Sequence, residues 1–507
     1  MKHLYLFVCV FLAVCSFSQA PTIMWERSYG GSDDDYAYSV DQTFDGGFII
    51  AGYTHSSDSD VTANHGGDDY WIVKTDSSGN IMWEKSYGGT DYDRAYSVQQ
   101  TVDGGYIATG SSYSVNGDIS SGHGSSDYWV IKLNPSGVLE WEKSYGGSSS
   151  DDARSIKQTS DGGYVITGFS ASDDGDVTEN KGIYDYWIVK TDSIGSILWE
   201  KSYGGSGSDG SFTIQECSDH GFIISGVSSS DDWDVTVNHG SADYWLLKID
   251  STGNFIWEKS YGGTDNEWGR SVTETTDGGF IVAGYSFSTD GDVVGNHGDS
   301  DFWMIKTDNK GEVKWEKCYG GTFEDKAYAV TQTSDLGFII AGQTSSSDGD
   351  VLNNQGYWDF WVVKTDSSGN LQWQKNLGGS SFDEALSIQQ TFDNGYIIAG
   401  ASYSNDGDVS GNHGDRDYWV VRLNPSVNNI SVVENTDKYF VYPNPATDRF
   451  SVAMDNINTI EIFNNLGSKI LTISKNTNID ISMLERGIYF VKITSDSETI
   501  IKRMIKQ

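Results

Sequence analysis

Residues 25 to 31 read Trp-Glu-Arg-Ser-Tyr-Gly-Gly, and this string or a close variant begins again at Trp83, Trp141, Trp199, Trp257, Trp315 and Trp373, always 58 residues further on. A second signature, Asp-Tyr-Trp or Asp-Phe-Trp, ends at Trp71, Trp129, Trp187, Trp245, Trp303, Trp361 and Trp419 with the same period. Seven units follow, covering about residues 22 to 424. Each holds four runs rich in aromatic and β-branched residues, which in the first unit are 37 to 43, 48 to 53, 70 to 74 and 81 to 87. Between them, Asp45-Gly46-Gly47 and Asp76-Ser77-Ser78-Gly79-Asn80 fit tight hairpins in which glycine supplies a positive φ. No segment holds a helical apolar period. Four-stranded units in a seven-fold array predict an all-β fold, a seven-bladed β-propeller. A Trp-Glu strand precedes the first unit's 37 to 43 run and none follows the last Asp-Tyr-Trp strand at 418 to 422, so residues 22 to 29 are expected to complete the seventh blade.

The two ends read as addresses. Residues 1 to 20 combine Lys2, an apolar run from Leu4 to Phe17 and a small-residue exit at Ala20, the pattern of a cleaved secretory signal peptide. That run is 14 residues long, short of the ~20 that a membrane span needs, so no transmembrane segment is expected in the mature chain. The mature chain keeps only Cys217 and Cys318, at non-equivalent places in their repeats, which offers no disulfide framework and no cysteine metal cluster.

Past Asn424 the period stops. A linker (425–438) leads to Tyr442-Pro443-Asn444-Pro445 and then to strand-like runs that include IEIFNNLGSKI around Gly467, Leu484-x-x-Gly487-Ile488-Tyr489, and the basic finish 502 to 506. These motifs, in this order over about 70 residues, resemble the type A C-terminal sorting domain of the Bacteroidetes type IX secretion system. The resemblance implies a small β-sandwich at 439–507 that is recognised by the outer-membrane translocon and a sortase. It also implies that the propeller (21–424) ends secreted or on the surface of a Gram-negative cell. An ordinary terminal β domain is the plainer alternative. Within the repeats, Asp76-x-x-Gly79-x-x-x-Trp83 resembles, one residue short, the strand-turn-strand motif of quinoprotein-type propeller blades and, more distantly, the Asp-box of sialidases. Neither likeness imports quinone or sialic acid chemistry.

The chain carries 72 acidic and 33 basic residues, a net charge of -39. That balance repels nucleic acid and anionic lipid, while 17 Trp, 29 Tyr and 21 Phe argue against disorder. Windows equivalent to 32–36 and 54–69 hold 40 acidic residues and four basic ones, Arg94, Lys181, Lys326 and Arg416. In a meander both windows lie at one end of each blade, so one face of the disc is expected to be acidic. Asp35, Asp93, Asp151, Asp209, Glu267, Asp325 and Asp383 share one register position. If their strand is the innermost, they are placed around a channel mouth, where calcium is a candidate ligand. The alternative for these and for the Asp45, Asp60 and Asp69 sets is hydrogen bonding to turn N–H groups. His65 and its equivalents give way to Lys181 and Gln355 in two units, so they read as turn residues.

Fourteen tryptophans belong to the repeat, whereas Trp233, Trp268 and Trp358 do not. All three fall in windows expected to be loops of the acidic face, where an exposed ring beside carboxylates suits sugar stacking or cation–π contact. No catalytic ordering or motif stands out. The leading expectation is an exported binding module for an extracellular polysaccharide or protein. A carbohydrate-active hydrolase or lyase using the same carboxylates and a structural surface protein are the alternatives.

Overall fold

The computed structural model describes residues 19–425 and, beyond them, 441–442, 446–452, 457–463, 469–474, 478–484, 486–495 and 499–506. The expected signal peptide up to residue 18, and Pro443, Asn444, Pro445 and Gly467 of the sorting motifs, lie outside the described residues. The chain divides into two compact units, Met1–Asn428 and Asn429–Gln507.

In the first unit β1 (Ile23–Tyr29) is followed by β2 (Asp35–Gln42), β3 (Phe48–Thr54), β4 (Asp69–Thr75) and β5 (Ile81–Tyr87). Strands β2 to β5 form one antiparallel sheet in chain order, and five more sheets repeat it. The seventh takes Asp383–Gln390, Tyr396–Ser402 and Asp417–Leu423 from the end of the repeats and β1 from the beginning. There Tyr29 lies opposite Tyr418 and Glu26 opposite Val421. The ring of blades is thus closed by its own N-terminal strand, as the order of runs predicts.

Burial follows position within the blade. Every residue of β3 and β4 is buried, while β5 alternates between covered and exposed side chains, as an outer edge does. Cores lie between blades rather than inside them. Ile49, Ala51, Tyr70 and Ile72 of one blade pack with Ala95, Val98, Tyr106 and Trp129 of the next. One unit alone would leave that face wet, so stability here is a property of the stack.

Polar groups repeat with the same period. The Trp71 indole donates to Glu84 Oε2 at 2.8 Å, and in the closing blade Trp419 donates to Glu26 Oε2 at 3.1 Å. The Tyr70 hydroxyl donates to the Trp129 carbonyl of the next blade at 2.9 Å, and Tyr418 donates to Trp71 across the closure at 2.8 Å. Lys74, nearly buried, reaches the exposed carboxylate of Asp45 at 3.0 Å. Inner strands are stitched by side chains: the Val98 N–H donates to Ser39 Oγ at 3.2 Å and the Gln100 N–H to Asp41 at 3.0 Å. Pairing of β2 with β3 skips Tyr38, a bulge that recurs at the equivalent place in every blade. Gly52 sits opposite, where a Cβ would run into the Tyr36 carbonyl.

The C-terminal unit has two sheets. One joins Val441–Tyr442, Arg449–Val452 and Asn478–Asp480, and the other joins Lys469–Ser474, Ile457–Phe463, Gly487–Ser495 and Thr499–Lys506. Phe450, Ile460, Ile462, Ile479, Val491 and Met504 form a shared core, the sandwich expected from the resemblance. Tyr489 packs into it, Leu484 packs against its edge, and Gly487 opens a strand. No helix of the described residues is long and apolar enough to cross a membrane.

Candidate functional site

The loops after β1 and after β3 lie at one end of each blade and are bonded to each other. The Asp60 N–H donates to the Gly30 carbonyl at 3.1 Å, and the Ser32 N–H to Asp58 Oδ1 at 2.8 Å. At this end the acidic residues separate into two populations.

Asp35 and its equivalents are fully buried and do not ring an open mouth. Asp35 Oδ2 accepts the Gly31 N–H at 2.7 Å and the Ser56 hydroxyl at 2.9 Å, while Oδ1 has no partner in the protein. Asp69 and its equivalents are buried as well. Asp69 Oδ2 accepts the His65 N–H at 2.6 Å and Oδ1 is again without a partner.

Members of the two sets meet across each blade junction. A Cβ on Gly30 would lie 2.5 Å from Asp35 Oδ2 and 2.6 Å from Asp417 Oδ1, and Gly378 stands in the same way between Asp359 and Asp383. Desolvation, and then the neighbouring carboxylate, push these groups up: Asp35 and Asp359 to about 7, and Asp185 to about 6. Two carboxyl residues from every unit therefore sit in the interior rather than on the acidic face, a distinction that counting charges along the chain does not make. Calcium takes six to eight oxygens, and among the described residues no group of three or more His, Cys, Asp or Glu is placed to hold a metal. Each junction offers two carboxyl side chains, so calcium at the Asp35 set is carried forward only as a proposal to test.

The position after Asp35 behaves differently. It holds Tyr36, Arg94, Asp152, Gly210, Trp268, Lys326 and Glu384, seven different residues in seven units. Before it stands Asp or Glu, and after it Ala, Ser or Gly. The bulged residue is Tyr38, Tyr96, Arg154, Phe212, Arg270, Tyr328 or Leu386. Tyr36 pairs with Tyr53 on the neighbouring strand, and equivalent pairs follow in each blade. These side chains meet from blade to blade at the loop end of the inner strands. Tyr38 and Tyr96 stand 4.8 Å apart edge to face, and Phe212 is 6.0 Å from Trp268. Tyr36 is hydrogen-bonded to Glu384 across the closure.

Basic residues gather in this layer. The Arg154 guanidinium is 4.0 Å from the Tyr96 ring centre, Arg270 is 4.2 Å from Phe212 and 5.0 Å from Trp268, and Arg416 is 4.6 Å from Tyr36. Arg94 pairs with Asp68 at 2.5 Å while lying over Tyr53. Arg154 Nε and Arg270 Nε are buried without a hydrogen-bond partner in the protein.

The three candidate tryptophans occupy three different settings, and no two of them are in ring contact among the described residues. Trp233 is 71% exposed in a loop, at a positive φ of 56°. Trp358 is half-buried, edge-on to Phe382 at 5.2 Å, with the exposed Tyr357 stacked on the same ring. Trp268 is not in a loop: it lies in the inner strand Glu267–Glu274, stacked on Tyr285. Most of the layer around it was not singled out from the sequence. The signal that would have found it is the column of seven different residues between two near-constant ones. The histidines accept or donate locally, as His65 does with Asp69 at 2.6 Å, and Lys181 in the same place reaches Asp234 of the next blade at 2.6 Å.

Residues 440–507 match the family described as the secretion system C-terminal sorting domain. The regulatory protein FlaEY of Caulobacter vibrioides is 31% identical over 165 residues, which is 30% of this chain and 17% of that protein, so the chain spans under a fifth of this relative. Among solved structures, Sqt1 from Chaetomium thermophilum is 10% identical with a TM-score of 0.40, covering 79% of this chain and 100% of that one. BBS1N, solved in complex with ARL6DN, is 9% identical with a TM-score of 0.42, covering 81% of this chain and 97% of that one. The propeller assignment rests on the strand order and the closed ring described above. The sorting domain interacts with the type IX secretion machinery and directs the chain across the outer membrane, to be secreted or held at the cell surface.

Proposed function

We propose that this exported chain is a binding module, and that its ligand docks where the side chains of the Tyr36 and Tyr38 rows meet at the loop end of the ring. One observation carries the reading. The groups that hold each blade recur in all seven with only conservative change, as with the Trp71–Glu84 bond, whose acceptor is Gln374 in the sixth blade, and the Lys74–Asp45 pair, whose cation is Arg422 in the seventh, whereas the Tyr36 position carries seven different residues. Identical units build a scaffold, and recognition of an asymmetric ligand requires positions that differ. The residue types are those of recognition surfaces: aromatic platforms, guanidinium groups, one lysine, and the carboxylates of Asp152 and Glu384.

An extracellular polysaccharide or protein fits this chemistry, with Trp233 and Trp358 as outer contacts on the same end. The translocon and the sortase engage residues 439–507. The test is a glycan and protein binding screen of the full chain, with and without calcium, repeated with Trp268→Ala and with Val102→Ser, an exposed residue in a hairpin at the opposite end. Loss of binding in the first variant and retention in the second is expected, with both melts near that of the unaltered chain. Equal binding by both variants overturns the placement. Turnover of a bound polysaccharide would move the assignment to the carbohydrate-active alternative.

A further inference from the structure

We infer that the layer contains, at its fourth blade, a notch for a single anionic pyranose, a sugar unit bearing a carboxylate. The inference rests on the reading that this layer is the ligand surface, and it adds the ligand's chemical class. Gly210 stands where the other blades carry Tyr36, Arg94, Asp152, Trp268, Lys326 and Glu384. Its backbone is not in the left-handed region, and a Cβ placed on it would meet nothing closer than the Phe169 ring at 3.5 Å, an ordinary contact. The chain therefore does not require glycine here. What glycine provides is room between two neighbours.

Its neighbours in that row are Asp152 and Trp268, and two residues beyond each, at the bulge, stands an arginine. On the third blade Arg154 lies 5.1 Å from the Phe169 ring, and on the fifth Arg270 lies 5.0 Å from Trp268, with Phe212 of the fourth blade 4.2 Å from Arg270. A guanidinium stacked on a ring presents its N–H edge sideways. Arg270 uses Nη2 on the Tyr285 hydroxyl at 3.2 Å, yet Nε of both arginines is buried and unpartnered. A buried charged donor left unpaired is costly, and the acceptor that matches a guanidinium edge is a planar oxyanion, above all a carboxylate. The Phe169, Phe212 and Trp268 rings that carry these guanidinium groups give the same spot apolar edges, which suit the C–H groups of a pyranose. A uronate offers both in one unit. The net charge of -39 repels an extended polyanion, which favours a single acidic sugar or a chain end over a charged strand laid across the disc.

The experiment is calorimetric titration of the full chain with glucuronate and with glucose. Glucuronate is expected to bind at least about tenfold more tightly, the weight of one charge-assisted hydrogen bond. Arg154→Gln and Arg270→Gln are each expected to weaken it about tenfold or more. Gly210→Leu, which fills the notch and leaves every charge in place, is expected to abolish it, and Val102→Ser to change nothing. Thermal melts of each variant separate lost binding from lost fold. Glucose binding as tight as glucuronate binding, and lost in Gly210→Leu, overturns the anionic assignment while leaving the layer as the binding surface. Binding indifferent to all three substitutions overturns both, and no heat with either sugar overturns the inference alone.

Discussion

At the residue scale, the Gly-Gly of each repeat and the buried carboxyls explain one another. Gly30 is small because Asp35 and Asp417 close over it, and Gly31 because a Cβ would press on Ser56 and Asp58. Gly30→Ala is expected to cost about 1–3 kcal/mol by overpacking, read as a lower denaturant midpoint with an unchanged slope. The carboxyls set a pH dependence of definite sign. Asp35 and Asp359 hold their protons up to about 7 in the folded chain, against 3.8 for an ordinary aspartate. Such groups add stability in full below the unfolded value and lose it as pH climbs through the folded one. The turn carboxylates run the other way: Asp161, beside Lys190, is lowered to about 2 and costs stability only as pH falls toward that value. The melting temperature should therefore be higher at pH 5 than at pH 8, with a smaller difference in Asp35→Asn. Calcium at pH 8 is expected to leave the melt unmoved. A calcium-dependent rise that Asp35→Asn removes would instead assign these junctions to the metal.

At the scale of elements, β1 does for the seventh blade what β5 does for the first. Glu26 accepts the Trp419 indole N–H and the Ser410 hydroxyl, the latter at 2.5 Å, across nearly the whole chain. In the sixth blade Gln374 accepts the equivalent Trp361 N–H at 3.0 Å. Glu26→Gln should therefore be close to neutral, whereas Glu26→Ala leaves a buried indole N–H unpaired and should cost about 1–3 kcal/mol, measured by chemical denaturation. The strands and this closure were legible in the sequence because each follows from apolar spacing and from the order of runs, which a 58-residue period repeats without insertion. What was not legible turns on three-dimensional neighbours. That Asp35 accepts a turn N–H was legible as an alternative, but its full burial, with the Asp417 carboxyl across Gly30, was not. Trp268 reads as a loop residue because inner strands begin at the Asp35 position, two residues before the apolar run that marks them. The variation at Tyr36 was present in the sequence as a column, but it acquires meaning only once that column is known to lie at the inner end of every blade.

At the scale of the whole molecule, a sorting domain and a ring of blades place two requirements on the chain, one for export and one for closure. Removal of 440–507 is expected to leave the protein in the periplasm, scored by surface labelling and fractionation. Closure has a sharper test. Six blades link their third and outer strands by a short turn such as 76–80, but in the seventh that turn is missing and the outer strand arrives from the other terminus. The ends are nonetheless adjacent, for the Asn424 N–H donates to the Thr22 carbonyl at 2.9 Å. Deleting 21 to 31 from the mature chain should strip the outer edge strand from the last sheet and abolish a cooperative melt. Placing residues 23 to 31 after residue 423, joined by Asp-Ser-Ser-Gly-Asn as Thr75 is joined to Ile81 in the first blade, should restore it, since the same residues then reach the same partners through a local turn. Recovery would show that the ring needs the strand and not its position in the chain. A deletion variant that melts like the intact chain would show that six and three-quarter blades suffice and that the closing strand is dispensable.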